Sequence, residues 1–367
     1  MVVQARREIR TITREAASSG ARVAKMRAEF KGRIVKLSSN EGPLPPFPAA
    51  IEAMRQAAGE VNRYADPDSK ALRARLAELH GLPADHLTVG GGSGSVIKQV
   101  AFTFLSPGDE VITGWPGYPA AALYASAMGA DLIKVPLRDW QTDLTAILDQ
   151  ITPHTKMVLL CNPNNPTGVA IPRDAMDEYL RWVPDHVITM VDEAYCHFAD
   201  PQTYPQLDRY LARGDAKPIT IMRTFSKAYA LAGARVGYAI LPPALLADFN
   251  LTREQYPVNH MGLAAALASL DDPGTLSERV AMLRQGRSYL HQQFDEMGLF
   301  HTDSQANFTF VDFGRDSEPV NEGLMKRGVL VKTGHQYDSP TFLRVTVGLP
   351  DENEIFINAL RATLADL

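Results

Sequence analysis

Short apolar runs alternate with helix-like segments from residue 86 to residue 191, and this alternation constrains the fold more than any other feature. Each run ends in a loop that is rich in Gly, Pro, Asn or acidic residues. Such runs suit strands that are buried on both faces, and strands that alternate with helices form mostly parallel sheets. The pattern predicts an α/β fold whose strands include residues 86–89, 110–113, 131–135, 157–160 and 187–191.

The chain changes character after Asn250. Longer helices are predicted at 261–270 and 277–297, and a hairpin-like α+β tail follows, with strands at 307–312, 328–332 and 342–347 and a final helix from Glu352 to about Ala365. This texture indicates a second, smaller domain. We predict a basic arm at residues 1–33, a large domain at residues 45–255, and a small domain made of residues 34–44 and 256–367.

Length, charge and cysteine content exclude several classes of protein. A chain of 367 residues is too long for one small core. A net charge of −5 gives no reason to expect nucleic acid or an anionic membrane as the main partner, and no apolar run approaches the ~20 residues that cross a bilayer. Cys161 and Cys196 lack metal-ligand spacing, so we predict no metal site and expect free thiols in a reducing, cytoplasmic compartment.

The first 36 residues are locally basic, with ten Lys or Arg residues against three Glu residues. The pair Arg6-Arg7 is not followed by an apolar core, which argues against an export signal, whereas an Arg-rich start is one feature of organelle transit segments. A helical arm that packs on the body or on a partner subunit is favoured, because the basic pattern runs directly into an ordered motif at Ile34.

Lys227 is the central candidate for a reactive group. It lies in Thr224-Phe225-Ser226-Lys227-Ala228, between a short β-rich run and a segment of small residues. A lysine amine that is partly desolvated in such surroundings has a lowered pKa and can form a Schiff base. Taken alone, a surface lysine in a loop is the simpler interpretation, so the rest of the chain must decide.

Several unusual loops stand at the carboxyl ends of the predicted strands, where ligands collect in sheets of this kind. Gly90–Ser95 opens a helix, and its glycines would let backbone N–H groups and the helix end bind a phosphate. It matches neither a Walker loop nor Gly-x-Gly-x-x-Gly, and a flexible surface loop is the alternative. Asp192 closes a buried strand, where its carboxylate needs either a protonated ring nitrogen or a structural salt bridge.

Five further side chains have a functional and an ordinary interpretation. Asn165 and Tyr195 could donate hydrogen bonds to a phenolate-like oxygen, or could form a turn and pack in the core. Tyr118, in a Pro-Gly-Tyr-Pro turn, could stack on a flat ring or be an ordinary half-buried tyrosine. Arg235 and Arg344 lie in apolar surroundings where an arginine needs an anion, supplied by a ligand or by an internal Asp or Glu.

Together these candidates form the set that pyridoxal phosphate (PLP) requires, namely a phosphate cradle, a stacking ring, an acid, donors for the ring oxygen and a lysine. From Ile34 to its C-terminus the chain resembles the fold-type I PLP-dependent aminotransferases, specifically the histidinol-phosphate aminotransferase-like group. The resemblance implies a three-layer α/β/α fold with a mostly parallel seven-stranded sheet and a smaller α+β domain. It rests on Asn162–Gly168, Val191–Tyr195, Thr224–Ala228, Leu231–Gly237 and Leu343–Gly348.

The resemblance implies a role for each candidate side chain. Lys227 would form the Schiff base with the cofactor and shuttle the proton, acting as a catalytic residue together with Asp192 and Tyr118. Asp192 would hold the ring nitrogen and Tyr118 would stack on the ring, while Asn165 and Tyr195 would contact the ring hydroxyl oxygen. The remaining implied cofactor contacts are the phosphate ligands Ser93 and Gly94 (through the backbone), Thr224, Ser226 and Arg235.

Substrate and subunit contacts are also implied by the resemblance. Arg344 would hold the acid group of the substrate, with Asn40 nearby and Lys332 standing where the family usually has Arg. Tyr64 would reach the phosphate bound to the neighbouring subunit, which implies a homodimer. The small-molecule partners would then be an amino acid and a 2-oxo acid.

The chain departs from the family pattern in three places. Gly92–Ser95 replaces Gly-Ser-Asp-Glu, Lys332 replaces an Arg, and the basic arm replaces a Tyr-x-Pro-Gly signature. The predicted function is a ping-pong transfer of an amino group between an L-amino acid, or a histidinol-phosphate-like amine, and a 2-oxo acid. The altered loop leaves a PLP-dependent amino acid decarboxylase or oxidase open, and the arm leaves a non-catalytic binding module open.

Overall fold

The computed structural model describes residues 5–10, 24, 26, 30–214 and 217–367. In the described part of the arm, Arg7–Arg10 forms one helical turn, and the Arg6 guanidinium donates a hydrogen bond to the Ala127 carbonyl at 2.8 Å. This contact places the start of the arm on the body of the same chain. The other basic residues predicted for the arm that lie outside the described residues are Arg14, Arg22, Lys25 and Arg27.

Twelve strands in the described part of the chain form three sheets. They are β1 (Val35–Lys36), β2 (Leu87–Gly90), β3 (Glu110–Trp115), β4 (Asp131–Pro136), β5 (Thr155–Cys161), β6 (Ile188–Asp192), β7 (Ile219–Thr224), β8 (Gly237–Ile240), β9 (Phe308–Asp312), β10 (Val329–Leu330), β11 (Lys332–Thr333) and β12 (Phe342–Thr346).

The largest sheet has seven strands in the order β2-β8-β7-β6-β5-β3-β4. β8 runs antiparallel to both of its neighbours, and the other neighbouring pairs are parallel. Asp192 pairs with Cys161 of β5 on one side and with Met222 of β7 on the other. The predicted mostly parallel seven-stranded sheet is confirmed, and the carboxyl ends of β5, β6 and β7 lie side by side.

Both faces of this sheet are covered by buried side chains. Along β5, Met157 and Leu159 belong to the core on one face, whereas Val158 and Leu160 belong to the core on the other. Alternate residues of a strand point to opposite faces, so the strand is buried on both sides. This arrangement confirms the three-layer α/β/α architecture.

The α-helices of the described chain surround these sheets, and no helix among the described residues is long and apolar enough to cross a membrane. Several of them begin with proline, whose fixed φ suits the first turn of a helix. The helices are Arg7–Arg10, Pro48–Ala57, Lys70–His80, Ser93–Phe104, Pro119–Ala127, Leu144–Asp149, Arg173–Trp182, Leu207–Ala212, Pro243–Thr252, His260–Leu270, Pro273–Glu296, Glu318–Lys326 and Pro350–Ala365.

Serine is a favoured N-cap residue, so the sequence predicts that Ser69 caps the helix that follows it, which the structure has at Lys70–His80. Ser69 has a left-handed φ of 48°, and its hydroxyl has no hydrogen-bond partner. The Asp66 carboxylate instead accepts the backbone N–H of Lys70 at 2.7 Å. The expectation that the Ser69 side chain caps this helix is therefore wrong, because Asp66 already satisfies one of the free N–H groups of the first turn.

A second core lies between the small sheets and the C-terminal helices. β1 pairs in parallel with β10, and β11 and β9 flank β12 in antiparallel order. The single strand predicted at residues 328–332 is thus two strands that join different sheets. β1 ends beside β10 in this second core. The segment that follows β1 leads to Asn40, whose side chain contacts Tyr195 beyond the carboxyl end of β6 in the large sheet.

Helix His260–Leu270 packs with the large sheet, where Ala265, Ala266 and Leu270 are buried in the core of one face. The predicted division of the chain assigned this helix to the small domain, which began again at residue 256. That assignment does not match the packing, because the apolar side of the helix contacts the large-sheet core. The rest of the domain division stays a prediction.

Candidate active site

A cavity of about 570 Å³ lies at the carboxyl edge of the seven-stranded sheet, and segments from the second core close its other side. Two predicted site residues, Tyr64 and Lys332, do not line it. Those that do are Asn40, Ser93, Gly94, Tyr118, Asn165, Asp192, Tyr195, Thr224, Ser226, Lys227, Arg235 and Arg344.

Lys227 stands three residues after the end of β7, with its amine inside the cavity. The amine donates a hydrogen bond to the backbone carbonyl of Ser39 at 3.3 Å and lies 5.8 Å from the centre of the Tyr195 ring. Burial, together with the positive charge of Arg344, lowers the pKa of Lys227 to about 8. The surface-lysine interpretation is therefore wrong, and part of this amine is uncharged near neutral pH.

Asp192 is the last residue of β6 and is 6% exposed. Its carboxylate accepts the backbone N–H of Ala194 at 3.1 Å. Burial raises the pKa of Asp192 to about 6, although this hydrogen bond and the charge of Lys227 oppose the rise. The carboxylate is thus ionised at neutral pH in a place where its charge is poorly solvated, which suits a cationic partner in the cavity.

The glycine loop and the end of β7 form one polar corner of the cavity. Ser93 and Gly94 begin a helix of 12 residues, so their backbone N–H groups stand at its N-terminus. The Thr224 hydroxyl donates to the Ser226 hydroxyl at 2.9 Å and accepts the Ser226 backbone N–H at 3.1 Å. Arg235, with a left-handed φ of 57°, completes the corner. Such a helix start with hydroxyls and a guanidinium suits a phosphate.

Gly92 is required for this arrangement. Its φ is 91°, and a Cβ at this position would stand 2.5 Å from a terminal nitrogen of the Arg235 guanidinium. That guanidinium donates to the carbonyls of Gly91 and Ala232, at 3.2 and 3.0 Å, and pairs with no carboxylate among the described residues. Arg235 is thus held beside the helix start, and its positive charge remains available to bind an anion.

Tyr195 and the side-chain amides of Asn40 and Asn165 form a further part of the cavity wall. The Tyr195 hydroxyl accepts hydrogen bonds from the side-chain amides of Asn40 at 3.1 Å and Asn165 at 3.5 Å. Burial raises the pKa values of Tyr118 and Tyr195, so both phenols keep their protons. Tyr195 can therefore donate its proton to an oxygen in the cavity while the amides fix its position.

Arg344 of β12 reaches the cavity from the second core and is 6% exposed. One terminal nitrogen donates to the Asn165 side chain at 2.6 Å and to the Tyr337 hydroxyl at 2.7 Å, and the other donates to the Ser38 carbonyl at 2.9 Å. Its Nε is buried without a partner. No carboxylate of the described residues pairs with this guanidinium, so the internal ion pair considered for it from the sequence is absent there.

Two predicted residues lie elsewhere. Tyr64 is 78% exposed and stacks on Tyr256, with ring centres 4.2 Å apart. Lys332 pairs with Arg344 across β11 and β12, so its Cβ lies on the same face of the small sheet. It does not reach the cavity wall.

Other wall residues were missed by sequence reasoning. Glu41 lies beside Asn40 in the segment after β1, and its neighbour could have indicated it. Gln336 and Tyr337 come from a short turn that carries no motif, and only the fold brings them to Arg344. The missed wall residues that can form polar contacts are Ser39, Glu41, Cys161, Gln336 and Tyr337.

The residues present fit PLP. The PLP phosphate suits the polar corner formed by Ser93, Thr224, Ser226 and Arg235. The Arg235 guanidinium forms no ion pair with a carboxylate of the described residues. The PLP ring nitrogen suits a buried acid, and its carbonyl carbon suits an amine of lowered pKa. The fold and this donor set define a PLP-dependent transferase.

Residues 32–360 match the sequence model of the family described as aminotransferase class I and II. The chain belongs to this family. It is 40% identical to the histidinol-phosphate aminotransferase of Moorella thermoacetica over 332 residues, which cover 90% of this chain and 86% of that protein. It is 39% identical to that of Symbiobacterium thermophilum, with 91% of each chain covered.

Solved structures give the same result. A histidinol-phosphate aminotransferase of Sinorhizobium meliloti in complex with pyridoxal-5'-phosphate matches with a TM-score of 0.90 and 26% identity, covering 100% of this chain and 99% of that one. The aspartate aminotransferase of Thermus thermophilus with maleate, at 22% identity and a TM-score of 0.85 over the whole of both chains, shares the fold. The protein is a PLP-dependent aminotransferase, and these relatives give no support to a decarboxylase, an oxidase or a non-catalytic module.

Proposed function

We propose that this aminotransferase takes its amino group from a donor that carries an anionic group, with histidinol phosphate as the first candidate, and passes it to a 2-oxo acid. Two of its relatives, at 39% and 40% identity, are histidinol-phosphate aminotransferases. The observation that carries the proposal is Arg344, a buried guanidinium in the cavity wall with no carboxylate partner among the described residues. Arginine binds carboxylate and phosphate with the same planar fork, so one site can serve donor and acceptor.

Lys227 moves the proton in this proposal. Bound PLP supplies the electron sink that lets the α-proton of the substrate leave. With a pKa of about 8, the Lys227 amine is partly uncharged at neutral pH, so its Nζ would accept the α-proton and hold it for transfer. The hydrogen bond from Nζ to the Ser39 carbonyl keeps the amine on the cavity side of β7.

The other side chains of the cavity hold the cofactor and orient its ring. The Asp192 carboxylate holds the protonated ring nitrogen, and the Tyr118 ring stacks on the face of the cofactor. Tyr195 donates to the ring oxygen, with Asn40 and Asn165 fixing its hydroxyl. The phosphate is held by the helix start at Ser93 and Gly94 and by Thr224, Ser226 and Arg235, which share one corner of the cavity.

We further infer a homodimer in which Tyr64 completes the phosphate site of the partner subunit. Its exposure and its stacking on Tyr256 suit a residue that acts outside its own chain. Val61, three residues earlier, is 59% exposed, which makes this an apolar surface suited to burial against a second copy. Two free thiols support a cytoplasmic location.

Residues 34–44 and the C-terminal segment form the small domain, which closes the cavity.

Product analysis tests the proposed donor. The holoenzyme is incubated with histidinol phosphate and 2-oxoglutarate, and in parallel with each of the common L-amino acids except glutamate in place of histidinol phosphate. We expect glutamate to form at the fastest rate with histidinol phosphate, without carbon dioxide or peroxide. A faster rate with an amino acid that has a neutral side chain than with histidinol phosphate would overturn the proposed donor, and release of carbon dioxide or peroxide would contradict transamination itself.

A further inference from the structure

A buried ion pair lies directly behind the cavity. Asp192 and Glu193 are consecutive at the end of β6, and Arg223 and Thr224 are consecutive at the end of β7. Asp192 and Thr224 line the cavity, whereas their neighbours meet outside it, where Arg223 Nε donates to the Glu193 carboxylate at 2.8 Å. The ion pair is thus joined to the cavity residues by single peptide bonds in both strands.

The pair is shielded from water. The Glu193 side chain is 0% exposed and that of Arg223 is 14% exposed. The Glu193 carboxylate next to Asp192 raises the pKa of Asp192, and a cation beside Glu193 limits this effect. Arg223 supplies that cation.

A second set of groups holds Arg223 from its other side. One of its terminal nitrogens lies 3.3 Å from His80 Nδ1 and 3.8 Å from the Asp208 carboxylate. His80 Nδ1 lies 2.9 Å from Asp208, and its Nε2 lies 3.0 Å from the Tyr238 hydroxyl. Burial lowers the pKa of His80, so its neutral ring donates to Asp208 and accepts from Tyr238. Arg223 is therefore the cation between Glu193 and Asp208.

Hydrogen bonds also connect Glu193, through Tyr204 and Asn162, to the backbone of Asp192. The Tyr204 hydroxyl lies 3.2 Å from the Glu193 carboxylate and donates to the Asn162 carbonyl at 2.6 Å. The backbone N–H of Asn162 donates in turn to the Asp192 carbonyl at 2.9 Å. Side chains behind the sheet edge thus fix the main chain on both sides of the acid.

We propose that Arg223 and Glu193 are positioning residues for the reaction, which together hold Asp192 toward the cavity and balance the charge behind it. The proposal rests on the role proposed above for Asp192. The charged and titratable groups that face Asp192 are Lys227, Cys161 and Tyr118 in the cavity and Glu193 behind it. The ion pair with Arg223 limits the effect of the Glu193 charge on the ionisation of Asp192.

The test is the titration of Asp192 in the cofactor-free protein, followed by carbon-13 NMR of labelled aspartate side chains and assigned by the signal missing from Asp192→Asn. Glu193→Gln removes the negative charge next to Asp192 and leaves the Arg223 cation in place, so the midpoint should fall by about one pH unit. In the double variant Glu193→Gln/Arg223→Met both charges are gone, and the midpoint should return to within about 0.3 unit of the wild type.

A purely structural role predicts a different pattern. Loosening of the strand ends would admit water and lower the midpoint in the double variant at least as much as in Glu193→Gln, and that result would overturn the proposal. Asp208→Asn, on a more exposed helix, is the second variant if Glu193→Gln does not fold. It should lower the midpoint in the same direction by a smaller amount, and an unchanged midpoint there would also overturn the proposal.

Lys217→Met is the matched control. Lys217 precedes the opposite end of β7, where its amine bonds to the Asp185 carboxylate and the Val183 carbonyl. This variant should lower the melting temperature without moving the Asp192 midpoint or the affinity for PLP, whereas Glu193→Gln should weaken PLP binding by roughly tenfold. Equal loss of PLP affinity in both variants would contradict the proposal. Because no substrate is present, the outcome is independent of which donor the enzyme uses.

Discussion

Lys227 and Asp192 face one cavity from neighbouring strands, and the pKa of the amine is lowered to about 8 while that of the carboxyl is raised to about 6. Burial is the main cause in both cases. Between these two values both groups are charged. Catalysis needs the carboxylate ionised and part of the amine neutral, so activity should rise above pH 6 and continue to rise toward pH 8. A rate profile that is flat from pH 5 to 8 would exclude these two groups as the titrating residues.

Asp192→Asn should stabilise the cofactor-free protein while abolishing activity. The folded pKa lies above the ordinary value of 3.8, so the native state binds a proton that the unfolded chain does not bind between about pH 4 and 6. Stability conferred by the protonated acid is therefore lost as the pH rises through this window, a cost of up to about 3 kcal/mol at pH 7. The variant avoids this cost, although the amine of Lys227 then loses an attractive charge.

Urea unfolding at pH 4 and at pH 7 measures this effect. The two cofactor-free proteins should differ at pH 7 and approach each other at pH 4. A variant that is less stable than the wild type at pH 7 would show that the Asp192 charge is well compensated in the free protein.

Arg344→Lys should raise the KM for acidic substrates about 100-fold, equivalent to about 3 kcal/mol, with a smaller effect on kcat. Lysine cannot reproduce the contacts of the planar fork to Asn165, Tyr337 and Ser38. Lys332→Ala is the control, because Lys332 lies across the same small sheet but not in the cavity wall. Steady-state kinetics measure KM and kcat for acidic substrates in both variants and in the wild type. Equal changes in KM would assign substrate recognition to the general charge of this sheet.

Tyr64 can be tested by mixing inactive subunits. Lys227→Ala and Tyr64→Ala chains are each expected to be impaired, the first fully and the second through weaker PLP binding. If Tyr64 acts across a dimer interface, a hybrid dimer contains one site with both residues intact. Random reassortment of equal amounts should then restore about a quarter of the wild-type rate, since half of the dimers are hybrids. The assay uses a PLP concentration that saturates the wild type but not Tyr64→Ala. No recovery under this condition would place Tyr64 in its own subunit's site or outside any site.

Asp338 joins the turn that carries Tyr337 to Trp115, the last residue of β3. It accepts the indole N–H of Trp115 at 2.5 Å, and the Lys134 amine lies 3.6 Å from the centre of that indole. Because Asp338 follows Tyr337, we expect Asp338→Ala to raise KM by roughly 10-fold, about 1.4 kcal/mol, and to change tryptophan fluorescence. Asp316→Ala is the control. It removes the contact at 3.3 Å between the Asp316 carboxylate and Nε2 of His335, which lies in the same turn as Tyr337. Similar kinetics for both variants would show that the Trp115 contact does not position the segment.

Much of the site could be predicted from the sequence because its parts follow strands. Asp192, Asn165 and Lys227 all lie at or just after the carboxyl ends of apolar runs, and parallel strands bring such positions to one edge. The short apolar runs also predicted a mostly parallel sheet, since a strand buried on both faces leaves a clear pattern, whereas the number of strands came from the family resemblance.

Other features had no local signal. Glu193 and Arg223 are charged residues in buried strand ends, and only the strand order shows that they neutralise each other behind the cavity. Tyr337 reaches Arg344 through tertiary packing rather than through a motif. The helix at 260–270 is apolar on its buried side whichever core it contacts, so its sequence could not say that it packs on the large sheet.

The most direct test of the account is a single half-reaction followed by the visible absorbance of the bound cofactor. Holoenzyme is mixed with histidinol phosphate and no 2-oxo acid, and 2-oxoglutarate is added after the absorbance has settled. We predict a stoichiometric loss of the long-wavelength band, its return on addition of the 2-oxo acid, and neither change with Lys227→Ala. A band that does not respond to histidinol phosphate, or a Lys227→Ala protein that completes the same cycle, would contradict it.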